Sequence, residues 1–187
     1  EKKAYNDHYL SDPQNLVQKE LRTTREGKLL KRGALLTDHE YSNHAPYIRE
    51  KFLHMINSGG EIPDKYRTKK FAQRVFPTTW GPEGPSLTAT SLPDDYVHYS
   101  EPRAPTVREW ARLQTFPDWY VFKGPRTTGG RRRAGDPSIG DWDREVPKYT
   151  QIGNAVPVLL ARRIGEHLAA ILDGRAVVQS EYKTAVA

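Results

Sequence analysis

Residues 105–118 have the sequence PTVREWARLQTFPD, and residues 151–157 have the sequence QIGNAVP. The first stretch contains a capping box, because the hydroxyl of Thr106 can accept a hydrogen bond from the backbone amide of Glu109 while the Glu109 carboxylate reaches back. This pattern predicts a short helix that runs to about Gln114, and the proline three residues later stops it.

The proline that ends the second stretch, Pro157, predicts the start of the last helix. Apolar residues then recur at helical spacing, and Gly174 provides a stop signal. The apolar face consists of Leu160, Ala161, Ile164, Leu168, Ile171 and Leu172. We expect the residues after Gly174 to form a frayed tail.

Two further helices are predicted towards the amino terminus. Asp12 followed by Pro13 indicates the start of a short, mostly polar helix that leads into a basic stretch, residues 22–32. A clearer helix has Asn43 as a candidate N-cap and Pro46 in its first turn. Its apolar residues recur at helical spacing until a glycine pair ends it: Ile48, Phe52, Met55, Ile56, Gly59 and Gly60.

Short segments rich in β-forming residues predict small strands at residues 71–76, 86–90 and 96–99, separated by glycine and proline. Residues 124–147 are rich in Gly, Arg and Asp and show no sustained period, which predicts a long loop. The fold class that follows is mixed α and β.

The composition favours an acidic partner. Lys and Arg number 29 against 23 Asp and Glu, which gives a net charge of +6 and favours binding to phosphates. Ordinary solubility of a basic protein is the alternative, and the basic stretch at residues 22–32 either faces phosphates or is simply solvated. The sequence contains no cysteine, so disulfides, Cys-ligated zinc and thiolate nucleophiles are excluded within this chain.

The two quoted stretches, in this order, resemble the ninth and tenth conserved motifs of the DNA (cytosine-5)-methyltransferases. Arg74-Val75, residues 85–90 and the later Arg103 are similar to the family's segment before the ninth motif. The resemblance covers roughly residues 43–172 and implies the carboxyl-terminal portion of such an enzyme. Residues 1–104 are then a small, irregular target-recognition region. Residues 105–174 form a helical segment that completes a Rossmann-like methyltransferase domain, and residues 175–187 form a tail.

The resemblance also implies what is missing. Methylation of carbon 5 of cytosine requires a thiolate that adds to carbon 6, an acid at the ring and a sulfonium methyl donor. The family takes the thiolate from a Pro-Cys loop and the acid from a Glu-Asn-Val segment, and neither is present here. We therefore expect no catalytic residue in this chain and no activity from it alone. S-adenosylmethionine would be bound mainly by an amino-terminal half, and the chain is a split subunit or a fragment.

The resemblance places four residues on the cofactor side: Gly153, Asn154, Ala155 and Val156. Asn154 would contact the methionine end of S-adenosylmethionine, because a carboxamide both donates and accepts hydrogen bonds. Gly153 would let the backbone approach closely. The alternative for Asn154 is that it merely caps the helix that begins at Pro157.

The helix of the ninth motif carries three residues to which we assign a structural role: Arg108, Glu109 and Arg112. Arg108 and Arg112 lie four residues apart on one helical face, so phosphate binding is the alternative to tying down the recognition region. We expect Trp110, Leu113 and Phe116 to be core residues.

The candidate DNA contacts are Thr88, Arg131, Arg132 and Arg133. Thr88 corresponds to a position at which the family contacts the target-strand backbone, although it is equally acceptable as a plain strand residue. The three arginines lie in a glycine-rich loop, where they would clamp phosphates or be neutralised by the acidic residues that follow. The histidines 39, 44 and 54 lack ligand spacing, so we predict surface or capping roles and no metal site.

The implied partners are duplex DNA and an amino-terminal catalytic half, without a membrane, in the prokaryotic cytoplasm and associated with the nucleoid when bound to DNA. The restriction-modification type of enzyme is the first interpretation. A non-catalytic DNA-binding remnant or regulator is the second, and a methyltransferase that acts on tRNA is the third.

Overall fold

The computed structural model describes residues 7–67, 73–79, 96–127, 137–140 and 146–175. The α-helices in these ranges are α1 (Leu16–Leu21), α2 (Pro46–Asn57), α3 (Val107–Leu113), α4 (Lys148–Asn154) and α5 (Val158–Leu172). Single turns of 3-10 helix lie at Asp64–Tyr66 and Pro137–Ile139. Two short parallel strands, β1 (Arg74–Val75) and β2 (Tyr96–Val97), pair Arg74 with Tyr96 and Val75 with Val97. The mixed α and β class is therefore confirmed, and α4 is a helix that the sequence did not predict.

The predicted N-terminal caps of two helices are wrong by a few residues, although Pro46 lies in the first turn of α2 as predicted. The N-cap of α1 is Asn15, whose side chain accepts from the amide of Gln18, and the carboxylate of Asp12 instead accepts from the amide of Arg32 at 2.8 Å. The N-cap of α2 is Ala45, without a side-chain cap, so Asn43 does not cap it. At α1 the carboxylate of Asp12 is used in a tertiary contact with residue 32, which capping preferences alone do not reveal.

A core of aromatic and aliphatic side chains joins β1 and β2 to the helices α3 and α4. Trp110 is fully buried at its centre, and Phe76 stacks on Tyr96 with ring centroids 4.6 Å apart. The cluster consists of Phe76, Tyr96, Val107, Trp110, Ala111, Phe116, Phe122, Tyr149 and Ile152. The core roles predicted for Trp110 and Phe116 are confirmed, and Leu113 packs against the cluster while partly exposed. A smaller cluster unites Phe52, Met55 and Val97.

The end of α3 is a Schellman turn with an unusual residue at its centre. The amide of Phe116 donates to the carbonyl of Ala111 at 2.8 Å, and the amide of Thr115 donates to the carbonyl of Arg112 at 2.9 Å. Thr115 has a φ of 56°, a left-handed conformation that a β-branched residue rarely adopts. The helix thus ends just before the position predicted from its proline.

Residues 7–42, which the motifs left unplaced, pack on α3. The amide of Asp118 donates to the carbonyl of Leu21 at 2.7 Å, and the amide of Arg108 donates to the carbonyl of Asp38 at 2.9 Å. Among the described residues, the segment before residue 42 is therefore hydrogen-bonded to the segment that follows residue 104.

Several predicted features lie outside the described residues. These are the strand at residues 86–90, most of the loop at residues 124–147 and the tail after residue 175. Among the described helices, none has the length and apolar character that crossing a bilayer requires.

Candidate functional site

The start of α3 is held by a network of charged hydrogen bonds around its capping box. The Thr106 hydroxyl accepts from the Glu109 amide at 3.2 Å, and the Glu109 carboxylate accepts from the Thr106 amide at 2.7 Å. Two nitrogens of Arg103 donate to the two oxygens of that carboxylate, each at 2.8 Å. Burial by itself raises the pKa of Glu109, but the bonds and charge of Arg103 outweigh it and lower the pKa to about 2. The capping box predicted from sequence is confirmed.

Arg108, the residue before Glu109 in α3, has a side chain that is 0% exposed. Its guanidinium donates to the carbonyl of Thr37 at 3.1 Å and to that of Tyr120 at 2.8 Å. Burial lowers the pKa of Arg108, and the carboxylates of Asp118 and Asp38 oppose this shift. The guanidinium thus binds loop carbonyls before and after α3 and is not displayed at the surface of the described chain.

Arg112 reaches the same region from the next turn of α3. Its Nε and Nη2 donate to the two oxygens of Asp118 at 3.0 and 2.8 Å, and the Tyr9 hydroxyl donates to Asp118 at 2.5 Å. The side chain of Asp118 is 0% exposed, and that of Arg112 is 30% exposed. Burial and the bond to Asp118 raise the pKa of Tyr9. Asp118 therefore joins Tyr9 to Arg112 of α3 through charge-assisted hydrogen bonds.

The end of α3 holds the tenth-motif segment in place. The side-chain nitrogen of Gln114 donates to the carbonyls of Ile152 and Ala155 at 3.1 and 2.9 Å. The backbone carbonyl of Gln114 accepts from the amide of Val158 at 3.1 Å. The Thr115 hydroxyl accepts from the amide of Leu159 at 2.9 Å. Two residues of the ninth motif therefore supply hydrogen-bond partners for the link between α4 and α5.

This link contains the four residues predicted on the cofactor side. Gly153 and Asn154 are the last residues of α4, Ala155 is its C-cap, and Val156 precedes Pro157, the N-cap of α5. Asn154 is exposed, as is 62% of Val156, whereas Ile152 is fully buried and anchors the segment. The capping alternative for Asn154 is wrong, because no side chain caps α5. An exposed carboxamide beside an exposed aliphatic group fits a ligand with both polar and apolar parts.

Beyond its first turn, α5 leaves the core. Val158 packs against the core cluster, but none of the residues of α5 is buried. Its apolar side chains remain about half exposed or more: Leu160 51%, Ile164 50%, Leu168 53%, Ile171 51% and Leu172 86%. These five residues, which we call the α5 apolar face, continue from the exposed Val156.

Three histidines surround the start of α3. The Nε2 of His44 accepts from the amide of Ala104 at 3.0 Å, and the Nδ1 of His98 accepts from the amide of Glu101 at 3.1 Å. His39 lies 3.0 Å from the hydroxyl of the N-cap Thr106. The predicted surface role holds for His54, which is exposed. His39 and His44 are half-buried and form hydrogen bonds at the start of α3, so the surface role is wrong for them and the capping alternative fits their contacts.

The predicted DNA contacts Thr88, Arg131, Arg132 and Arg133 all lie outside the described residues. The sequence reasoning missed Gln114, Thr115 and Asp38, whose carboxylate accepts from Lys148 of α4 at 2.6 Å. Gln114 and Thr115 lie within the quoted ninth-motif stretch, so their place in a family motif could have marked them as candidates. For Asp38 no local pattern existed.

The sequence profile of C-5 cytosine-specific DNA methylases matches residues 1–170. The chain belongs to this family. Its relatives include the type II methyltransferase M.Eco47II of Escherichia coli, 34% identical over 163 residues, which cover 77% of this chain and 34% of the relative. The type II methyltransferase M1.HphI of Haemophilus parahaemolyticus is 33% identical over 135 residues, 71% of this chain and 31% of the relative.

A third methylase relative is matched over almost its whole length. The type II methyltransferase M.AquIB of Picosynechococcus is 32% identical over 145 residues, which cover 74% of this chain and 94% of M.AquIB. The chain thus spans about a third of the length of the first two relatives but nearly all of the third.

Proposed function

We propose that this chain is the carboxyl-terminal portion of a DNA (cytosine-5)-methyltransferase, which reads duplex DNA and completes the cofactor pocket of a cysteine-bearing amino-terminal part. Residues 1–104 form the recognition region, and residues 105–174 complete a Rossmann-like domain. Alone, the chain is inactive, because its 187 residues contain no cysteine to attack the cytosine ring.

The observation that carries this proposal is the α5 apolar face. Five apolar side chains of one 15-residue helix are half exposed or more, next to the link that bears Asn154. A contiguous exposed apolar surface of this kind is typical of an interaction site. A folded amino-terminal part that covers it would bring its own cofactor-binding residues up to this link.

The proportions of the relatives support a division of labour. The match to M.AquIB takes up 94% of that methyltransferase, so a type II methyltransferase polypeptide can consist almost wholly of the region that this chain shares. In M1.HphI and M.Eco47II the same region is about a third of a longer polypeptide. Both arrangements fit a portion that works with an amino-terminal part, joined or separate.

S-adenosylmethionine supplies the methyl group when bound. In this proposal Asn154 binds the methionine end of the cofactor, Gly153 allows the close approach of the backbone, and Ala155 and Val156 line the pocket. Gln114 positions these residues through its bonds to the carbonyls of Ile152 and Ala155. On the DNA side, Thr88 and the loop arginines 131–133 bind phosphates. A structural role is assigned to three residues of α3, which hold the recognition region in place relative to the link between α4 and α5: Arg108, Glu109 and Arg112.

The alternative from another class is a non-catalytic DNA-binding protein of the same family, which the lack of cysteine also permits. It differs in one respect that can be measured, since its DNA binding needs neither a partner nor a cofactor.

The test is transfer of labelled methyl groups from S-adenosylmethionine to mixed-sequence duplex DNA. It uses this chain alone and mixed with a cysteine-bearing amino-terminal half from the parent protein or the adjoining reading frame. We expect activity only in the mixture, and Asn154→Ala should weaken cofactor binding there, while the exposed His54→Ala serves as control. A stable complex without activity would overturn the proposal in favour of the non-catalytic binder.

A further inference from the structure

The segment of residues 19–32, which we call the basic loop, concentrates the positive charge of the chain. It contains six basic and two acidic residues, so its net charge is +4 out of +6 for all 187 residues. No family motif identified in the sequence includes this segment.

The backbone of the basic loop is a hydrogen-bonded turn. Leu30 donates to the carbonyl of Arg22 at 2.9 Å, Thr24 donates to that of Lys28 at 2.8 Å, and Thr23 bridges Leu29 in antiparallel fashion. Gly27 has a φ of 80°, as the tip of the turn requires. The side chains of the loop are therefore displayed from a fixed frame.

The charges of the basic loop divide into a buried part and an exposed part. Arg22 is buried, stacks over Tyr9 at 4.1 Å and donates to the carbonyl of Ser11. Glu20 pairs with Arg162 of α5 at 3.6 Å. Four cations of the loop are exposed, and none of them forms an ion pair with another described residue: Lys19, Lys28, Lys31 and Arg32.

Arg25 extends this surface towards α3. Its guanidinium lies over the ring of Trp119 at 4.3 Å, and the neighbouring Asp118 is tied to the carbonyl of Leu21. A guanidinium over an aromatic ring is held by a cation–π interaction, and its N–H groups can still donate to oxygen acceptors. Arg25 is therefore anchored on Trp119 within the same loop as the exposed Lys28 and Lys31, where its guanidinium can also donate to a phosphate.

We propose that the basic loop, with Arg25 on Trp119, binds the phosphate backbone of duplex DNA, in addition to the contacts proposed for Thr88 and the arginines 131–133. The choice of duplex DNA rests on the proposed function. The surface positions the chain on the duplex and carries no sequence information, because contacts to phosphate oxygens do not distinguish one base from another.

The experiment is fluorescence anisotropy with a labelled mixed-sequence duplex and the full 187-residue chain, at several salt concentrations. The test variant is Lys28→Ala/Lys31→Ala/Arg32→Ala. The matched control, Lys65→Ala/Arg163→Ala/Arg175→Ala, removes the same charge from exposed cations that are already paired with Glu50, Glu166 and Asp173. Circular dichroism verifies that both variants fold.

We expect the test variant to bind roughly tenfold more weakly near 100 mM salt and to lower the slope of log K against log salt by about 2 to 3. The control should change the slope by less than about 1. Equal effects of the two variants, absence of duplex binding by the parent chain, or tighter binding of the parent chain to tRNA than to the duplex at matched salt would each overturn the proposal.

Trp119→Ala tests the stacking step, with Trp119→Phe as its conservative partner. We expect Trp119→Ala to weaken DNA binding and Trp119→Phe to restore it, because a ring that supports Arg25 returns. Failure of the basic loop is distinguishable from failure of the proposed function. Methyl transfer by the mixture of halves measures the latter and requires no particular result from these variants.

Discussion

The hydroxyl of Thr115, at the end of α3, accepts a hydrogen bond of 2.9 Å from the amide of Leu159 in the first turn of α5. The same threonine has a φ of 56°, at a position of the Schellman turn where glycine is the usual residue. Thr115 is therefore a strained residue at a position that suits glycine. Its hydroxyl offsets the strain, because it forms a hydrogen bond that glycine could not form.

Thr115→Val keeps the shape and the strain but removes the acceptor of the Leu159 amide. We expect it to lower the free energy of unfolding by about 1 to 2 kcal/mol and to speed hydrogen exchange of that amide. Thr115→Gly also loses the bond but relieves a strain of about 1 kcal/mol, so its loss in urea unfolding should be smaller. A larger loss for glycine than for valine would contradict this account.

The Arg103–Glu109 pair predicts a loss of stability in acid. The folded-state pKa of Glu109 is lowered from 4.5 to about 2, so the carboxylate stabilises the fold above pH 4.5 and that contribution disappears as the pH falls towards 2. The full contribution is about 3 kcal/mol. Glu109→Gln should reduce stability at pH 7 and flatten the dependence on pH between 4.5 and 2. An equally steep dependence in the variant would disprove the assignment.

The histidines predict a second loss of stability, which begins at a higher pH than that of Glu109. Burial lowers the pKa of His39, His44 and His98 below the usual 6.5, so the folded state takes up protons less readily than the unfolded state. Their stabilising neutral forms are fully present above pH 6.5, and stability falls as the pH drops below it. The greatest slope is about 1.4 kcal/mol per pH unit for each histidine.

His44→Gln isolates one member of this group. Its carboxamide oxygen can still accept from the amide of Ala104 but does not titrate, so unfolding should depend less steeply on pH between 6.5 and 5. His54→Gln, at an exposed site on α2, is the control. If both variants retain the parent slope, His44 is not one of the titrating groups.

The α5 apolar face predicts a separation of stability from assembly. Ile164→Ser/Leu168→Ser changes residues that are half exposed, so we expect the unfolding of the chain alone to shift by less than about 1 kcal/mol. Binding to the cysteine-bearing half should weaken by about 2 to 4 kcal/mol, measured by calorimetry. The control is Arg162→Gln/Glu166→Gln, which alters the opposite side of α5 without a change in net charge. Equal effects of the two pairs would argue against the face as the interface.

The sequence by itself determined the local features and the family. The capping box at Thr106, the stop of α2 and the register of α5 depend on contacts between residues a few positions apart, which a linear pattern records. The ninth and tenth motifs are long enough to specify the family, and the match over residues 1–170 agrees with them.

Only the tertiary structure decided where these features meet. The bond from Arg108 to Thr37 spans 71 positions, and that from Lys148 to Asp38 spans 110, so no local pattern announces either of them. For the same reason the caps of α1 and α2 were misplaced and α4 was missed. The buried residues of α4, Tyr149 and Ile152, pack in the same core cluster as residues of α3, and this packing favours the helix. Short-range preferences are encoded in neighbouring residues, whereas the burial of Arg108 and the exposure of Asn154 are properties of the assembled fold, because each depends on which distant segments fill the space around it.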